Sequence, residues 1–487
     1  MHDDKVSIKK QTISGLVWKF GERIFAQLVS FIVSIVLARL LMPTEYGVVA
    51  LVLVFISMAD ILVQNGLGAT LIQKKDADDL DFNTMFFAGV FLGLCLYGGI
   101  FLIAPTVAFI YKNSTIIPVL RVMGIRIPIA AVNSIQQAVV SRNMDFRKFF
   151  FSTLLGTAIS GVIGIVLAFN GFGVWALVFQ YLGNTIIDTL VLFFTVRWRP
   201  KKQFSIERFK KLFSFGGKIM LIGFIGVFFN QLKSLIIGAK YSSEDLAYYS
   251  RGEKFPTLIS GNIETSINAV LFSMLSKYQD NNKVLINVIQ RFTCILSFII
   301  MPLMIGLAVI GENLVKVLLT DKWLECVPFL QIICIQQVFS VLNTVNLQVM
   351  KAKGVGSSLL KLECLKKPVI LIILLITMRI SPFAMAVGVT IYELIAAYIN
   401  SIPTKKLIGY SIRQQIGDVF PNLVTSLLMG CIVYTIKFIP TNSICVLILQ
   451  VLTGMISYVL ISYLTNNRGF VSVVDLLRTY KEGKNHV

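Results

Sequence analysis

Histidine is almost absent: two among 487 residues, His2 and His486, one at each end. No imidazole is therefore on hand in the apolar body of the chain for acid–base work or a nucleophilic triad. Acids are scarce too, 25 Asp and Glu against 45 Lys and Arg, and charged residues of both signs make up 14%. A soluble domain carries about 25%. With 56% hydrophobic residues and a mean hydropathy of +0.78, a soluble fold is excluded. The seven cysteines are scattered, mainly through apolar runs, with no CxxC pair, which argues against both a disulfide framework and a zinc site. No Walker loop occurs, so nucleotide hydrolysis is not the power source and no cofactor is expected. The polar start runs into a helix without a small-residue cleavage site, so no cleaved signal peptide is expected.

What remains is a series of long apolar runs. Between Ile24 and Leu41 the only full charge is Arg39, about 18 near-continuous apolar or small residues, enough to cross a hydrocarbon core of about 30 Å. Along this first helix Lys19, Arg23, Gln27, Ser30 and Ser34 recur at three- and four-residue spacing and so share one face. Polar groups cannot be turned to lipid, so the stripe faces other helices or water. Two readings stay open for its cations: snorkelling to the headgroups, or standing at the mouth of a polar cavity.

Counting such runs predicts an all-α integral membrane protein of about fourteen transmembrane helices. The basic stretch RWRPKKQFSIERFKK, Arg197 to Lys211, punctuates it. The expected organisation is an N-lobe of six helices (1–200), a cytoplasmic basic linker (201–212), a C-lobe of six helices (213–404), a C-terminal helix pair (405–465) and a tail (466–487). With the N-terminus cytoplasmic, alternate gaps plus both tails hold about 27 Lys and Arg, and the opposite gaps about seven, Lys112 and Lys240 among them. That asymmetry places both termini inside. The net charge of +20 thus reads as the positive-inside pattern and not as a nucleic-acid footprint. A weak internal repeat supports two lobes: Phe20, Gly21, Arg23 and Ile24 match Phe215, Gly216, Lys218 and Ile219, and the following short turns contain Glu45 and Glu244. It puts Arg23 and Lys218 at matching positions, in a class of protein whose site lies where two halves meet.

Charges inside the apolar runs nominate the site. Arg251, Lys254, Thr257, Gly261, Glu264 and Asn268 form a second stripe, with Glu264 expected in mid-span. Arg126, Asn133 and Gln137 share a face, as do Ser57, Asp60 and Gln64. For Asp60, Asp188 and Glu393 an interhelical hydrogen bond or ion pair competes with a cavity role. Clustered cations in a poorly screened cavity suit an anionic ligand.

The segments LARLLMPTEYG, ATLIQKKDADDLDFNT, SRNMDFRKF, IGAKYSSEDLAYYSRGEKFP, VLFSMLSKYQD and LLTDKWLECVPFLQIIC resemble those of the polysaccharide-transporter flippases. These are the Wzx-type and teichuronic-acid-type members of the multidrug, oligosaccharidyl-lipid and polysaccharide exporter superfamily. The resemblance implies two pseudo-symmetric six-helix lobes plus two C-terminal helices, and alternating access for an undecaprenyl-diphosphate-linked oligosaccharide. It implies a cationic substrate site at Arg23, Lys218, Arg251 and Lys254. Arg126 joins them as a candidate from its helix face, and Gln27, Asp60, Glu264, Asn268 and Glu393 are candidates for polar lining or coupling. The implied partners are the lipid-linked oligosaccharide, membrane lipid, a polysaccharide polymerase and glycosyltransferases; a monomer in the cytoplasmic membrane is expected, with no metal and no nucleic acid.

Two other functions compete. A cation-coupled multidrug exporter of the same superfamily would favour a more acidic or aromatic cavity. A membrane glycan polymerase or ligase would need a large outer loop, and no gap between apolar runs exceeds about twenty residues. The orientation is directly testable. Cysteines introduced at Lys201 and Lys405 are expected to label only from the cytoplasm and one at Lys240 only from outside; outside labelling at Lys201 in intact cells would overturn it.

Overall fold

The computed structural model describes residues 2–64 and 67–484; side chains before Gly21 other than Trp18, Lys19 included, lie outside the described set, as do those of a few later positions. Every regular element among the described residues is helical. In chain order these are α1 (His2–Leu40), α2 (Pro43–Gln64), α3 (Leu67–Gln73), α4 (Asp79–Ile110), α5 (Ile116–Gly124), α6 (Arg126–Arg142), α7 (Phe146–Phe169), α8 (Val174–Thr195), α9 (Ile206–Lys240), α10 (Ser243–Lys277), α11 (Asn282–Leu319), α12 (Val327–Ala352), α13 (Gly356–Thr377), α14 (Pro382–Ile408), α15 (Ile412–Thr435), α16 (Ser443–Leu464) and α17 (Arg468–Lys484). Short 3-10 turns precede α12 and follow α15.

Thirteen of the described helical segments are long and apolar enough to cross a membrane, with α2 and α3, and α5 and α6, each forming one segment. The fourteenth expected span corresponds to α13. Its 22 residues suffice in length, but Lys361, Glu363, Lys366 and Lys367 crowd its first twelve residues. Lys366 and Lys367 both pair with Glu363 along the helix, which offsets part of that charge.

Two compact units divide the chain at Ala247 and Tyr248. In the first, α1 packs on α7, α7 on α8, α4 on α6, and α9 on α2, α3 and α4. In the second, α11 packs on α12 and α15, α14 on α12 and α13, and α17 lies along α11. The basic linker is not a loose tether. Asp81, fully buried at the start of α4, accepts hydrogen bonds from Lys74, from Arg208 at 3.0 Å and from the Asp78 amide at 3.1 Å. Asn83 accepts from the Lys201 amide at 2.9 Å, and Thr84 from the Ser205 amide at 3.2 Å. Trp198 packs against Phe82 and Phe86. The chain between α8 and α9 is thus stitched to the first two turns of α4.

The internal repeat is clearest at two elbows. After α1 the Leu41 amide donates to the Leu37 carbonyl, Met42 N–H to the Glu45 carboxylate at 2.8 Å, and Tyr46 N–H to the Met42 carbonyl. After α9 the Tyr241 amide donates to Ile237, Ser242 N–H to the Asp245 carboxylate at 3.1 Å, and Leu246 N–H to Ser242. Every partner is displaced by 200 positions. The acid equivalent to Glu45 is therefore Asp245 and not its neighbour Glu244.

The two elbows touch. A Cβ on Gly47 would stand 1.7 Å from the Ser243 carbonyl oxygen, so the first turn of α2 meets the backbone at the start of α10 with no room for a side chain. Gly47→Ala is expected to force these helix ends apart at about 1–3 kcal/mol, the usual range for overpacking. Thermal unfolding of purified protein in detergent reads this, and an unchanged melting temperature would contradict it.

Candidate functional site

The cations nominated by the sequence fall into two groups. In the first unit, Arg126 opens α6 just after the break at Ile125 and pairs with Asp60 of α2, Nη2 to Oδ2 at 3.2 Å, with only 24% and 16% of the two side chains exposed. In the second unit, Arg251 is 7% exposed, and its guanidinium lies 5.0 Å from the ring centroid of fully buried Trp323. A guanidinium over an indole face is a cation–π contact, strengthened by desolvation. Both arginines are committed within the fold. Arg23, Lys218 and Lys254, by contrast, are exposed and make no ion pair among the described residues.

The acids nominated for coupling are all engaged. Asp188 of α8 accepts from Asn133 of α6. Glu264 of α10 accepts from the Ser340 hydroxyl of α12 at 2.7 Å. Glu393 of α14 accepts from Asn343 at 2.7 Å, and Asn343 accepts in turn from Asn400 at 2.8 Å, so a short amide chain runs behind the carboxylate. Gln27 is half-buried on α1. Asn268 is half-buried, with its Oδ1 enclosed and without a hydrogen bond among the described residues.

Three polar residues were not nominated by the sequence. Glu22 of α1 accepts from Thr153 of α7 at 3.3 Å, directly beside Arg23. Asn343 and Ser340 line the α12 face toward Glu393 and Glu264. Glu22 was visible as an acid at the edge of an apolar run. Asn343 and Ser340 carry no charge to mark them.

The structural repeat also changes the relation between Arg23 and Lys218. Counted back from the helix ends at the elbows, Arg23 lies 17 residues before Leu40, but Lys218 lies 22 residues before Lys240. At 1.5 Å per residue that is about 26 Å against about 33 Å, so the two are not at equivalent depth. Arg251 and Lys254 begin only eight and eleven residues beyond Ser243, about 12 and 17 Å from the elbow, whereas Glu264 is about 32 Å along. Along the 35 residues of α10, Lys254 and Glu264 stand on either side of the helix midpoint. The identity match had slipped by five residues because Gly, Phe and Ile recur often in apolar helices.

Comparison with known proteins follows the same fold. The model of the family described as polysaccharide biosynthesis protein matches residues 36–328. The chain is 23% identical over 442 residues to the lipopolysaccharide biosynthesis protein WzxC of Escherichia coli K12, covering 88% of this chain and 89% of that one. It is 23% identical over 354 residues to the teichuronic acid biosynthesis protein TuaB of Bacillus subtilis 168, covering 72% of each. Among solved structures it is similar to the lipid II flippase MurJ in an inward closed conformation, with a TM-score of 0.74 at 15% identity over 93% of this chain and 98% of that one. An inward-facing multidrug resistance transporter of the MATE family gives a TM-score of 0.62 at 15% identity, over 79% of this chain and 94% of that one. At these identities the structures show a shared fold.

The Asp60–Arg126 pair can be tested as a unit. Arg126→Gln leaves a carboxylate, and Asp60→Asn a guanidinium, unpaired inside a membrane segment, so each is expected to cost about 3 kcal/mol. The double substitution should recover much of that. Purely additive losses in a double-mutant cycle of melting temperatures would show that the pair is not coupled.

Proposed function

The chain belongs to the polysaccharide biosynthesis protein family and is a multi-pass membrane transporter, not an enzyme; from that premise we propose that it moves a polyprenyl-diphosphate-linked oligosaccharide from the cytoplasmic to the outer leaflet by alternating access. Both termini are cytoplasmic in this reading, following the distribution of Lys and Arg between alternate gaps. Glycosyltransferases then supply the substrate and a polymerase consumes it.

The observation that carries the proposal is the sorting of charges. Every acid nominated for coupling has a hydrogen-bond or ion-pair partner, while Arg23, Lys218 and Lys254 are exposed without an ion pair among the described residues. Cations held in apolar helices without counter-ions are costly, and an anionic ligand offsets that cost. A diphosphate offers oxygens to an ammonium and to the planar fork of a guanidinium alike. An exporter driven by cation binding would instead need an acid open to the ion. Asp60 and Glu393 are each held by a partner, Arg126 and Asn343.

Alanine at Arg23 or Lys254 is expected to leave membrane-inserted protein at normal abundance and weaken substrate binding by roughly 1.5–3 kcal/mol, about tenfold or more. Lys218→Ala, farther from its elbow, should matter less, and Arg23→Lys should restore only part of the loss because an ammonium cannot form the fork. The readout is surface polysaccharide in a strain lacking the native gene. Full output from a normally expressed Arg23→Ala/Lys218→Ala/Lys254→Ala protein would end the proposal.

A further inference from the structure

A groove of about 680 Å³ runs along the flank of the first unit between α4, from its third turn on, and the first turns of α9. Its walls are Phe87 and Phe91 from α4 and Phe209 and Phe213 from α9, its floor is buried Leu67, and its one charged lining residue among those described is Lys210. The spacing explains the shape. Phe87 and Phe91 are four apart on α4, and Phe209, Lys210 and Phe213 fall on one face of α9. Phe91 is 71% exposed and Phe213 41%, so the groove opens on the surface that two membrane-crossing helices turn outward.

The charges around its mouth are unequal in a telling way. Asp78 and Asp81 are taken by Arg208, and Asp79 by Lys201 at 3.1 Å. Lys210, two residues past the ion-paired Arg208, is exposed and makes no ion pair among the described residues. An aromatic-walled slot with a bare ammonium at the linker end has the polarity of an amphiphile: hydrocarbon along its length, one negative charge at its head. We propose that this groove binds an anionic phospholipid, with an acyl chain against the phenylalanines and the phosphodiester at Lys210.

Charge number favours a phospholipid over the transported substrate. The one charged lining residue among those described, Lys210, matches the single charge of a phosphodiester. A soluble anion would gain nothing from the phenyl walls. The bound lipid would brace the first turns of α9 against α4, alongside the contacts that the linker already makes there.

The test uses full-length protein in mixed-lipid nanodiscs with a phosphatidylglycerol bearing a photoreactive acyl chain. Crosslinks are expected in peptides covering 87–95 and 206–213. Unlabelled phosphatidylglycerol should suppress them about fivefold more effectively than phosphatidylcholine, the advantage of one lysine near the membrane surface. Lys210→Gln, an exposed change, should abolish that advantage, and Ala88→Trp, which fills the slot, should remove the crosslinks for either lipid. The assignment is overturned by crosslinks confined to other helices, by an unchanged headgroup preference in Lys210→Gln, or by a polyprenyl diphosphate that displaces the probe better than phosphatidylglycerol does.

Discussion

Asp81 is the group on which the arrangement of the first unit turns. A carboxylate with no exposed surface is tolerable only when its oxygens are fully used, and here Lys74, Arg208 and a backbone amide use them. Because Arg208 comes from the start of α9, satisfying this one acid fixes where α9 begins. Asn83, Thr84 and Trp198 reinforce the same junction. The compact unit consequently runs through α9 to Ala247, beyond the point where the composition changes. Arg142 works the neighbouring corner, donating to the carbonyls of Leu71, Lys74 and Lys75 at the end of α3 and so presenting Lys74 to Asp81.

The spans were legible because crossing hydrocarbon demands one simple thing of a sequence, a long apolar run. Helix ends are set instead by caps that the apolar runs do not show: Ser205, Asn281, Ser381 and Ser411 each cap the helix that follows. α13 shows the limit: its four charges stand among the first twelve residues of a helix whose length alone would span. The candidate site was legible as an inventory and not as an arrangement. Arg126 and Lys254 look equally suited to a phosphate in the sequence, yet one spends its charge on Asp60, 66 positions away, and the other does not. Pairing across such separations is decided by packing, which a single chain of letters does not display.

Both units answer the same demand in different ways. The first uses an ion pair and a carboxylate–amide contact, Asp60–Arg126 and Asn133–Asp188. The second relies more on neutral amides: Asn343 links Glu393 to Asn400, and Asn346 and Gln415 exchange hydrogen bonds at 2.8 and 3.0 Å. Reciprocal amide pairs saturate both partners without placing a charge in hydrocarbon. Fixed polar contacts of this kind keep helices in register.

The 200-residue spacing of the elbows has a consequence for symmetry. Arg23 and Lys218 are 195 positions apart, five short of the backbone repeat, and five residues of helix amount to a turn of about 140° as well as a rise of about 7.5 Å. The duplicated helices therefore keep their elbow while aiming their cations in different directions. Two cations at different heights and on different faces offer any ligand that meets both two inequivalent contacts.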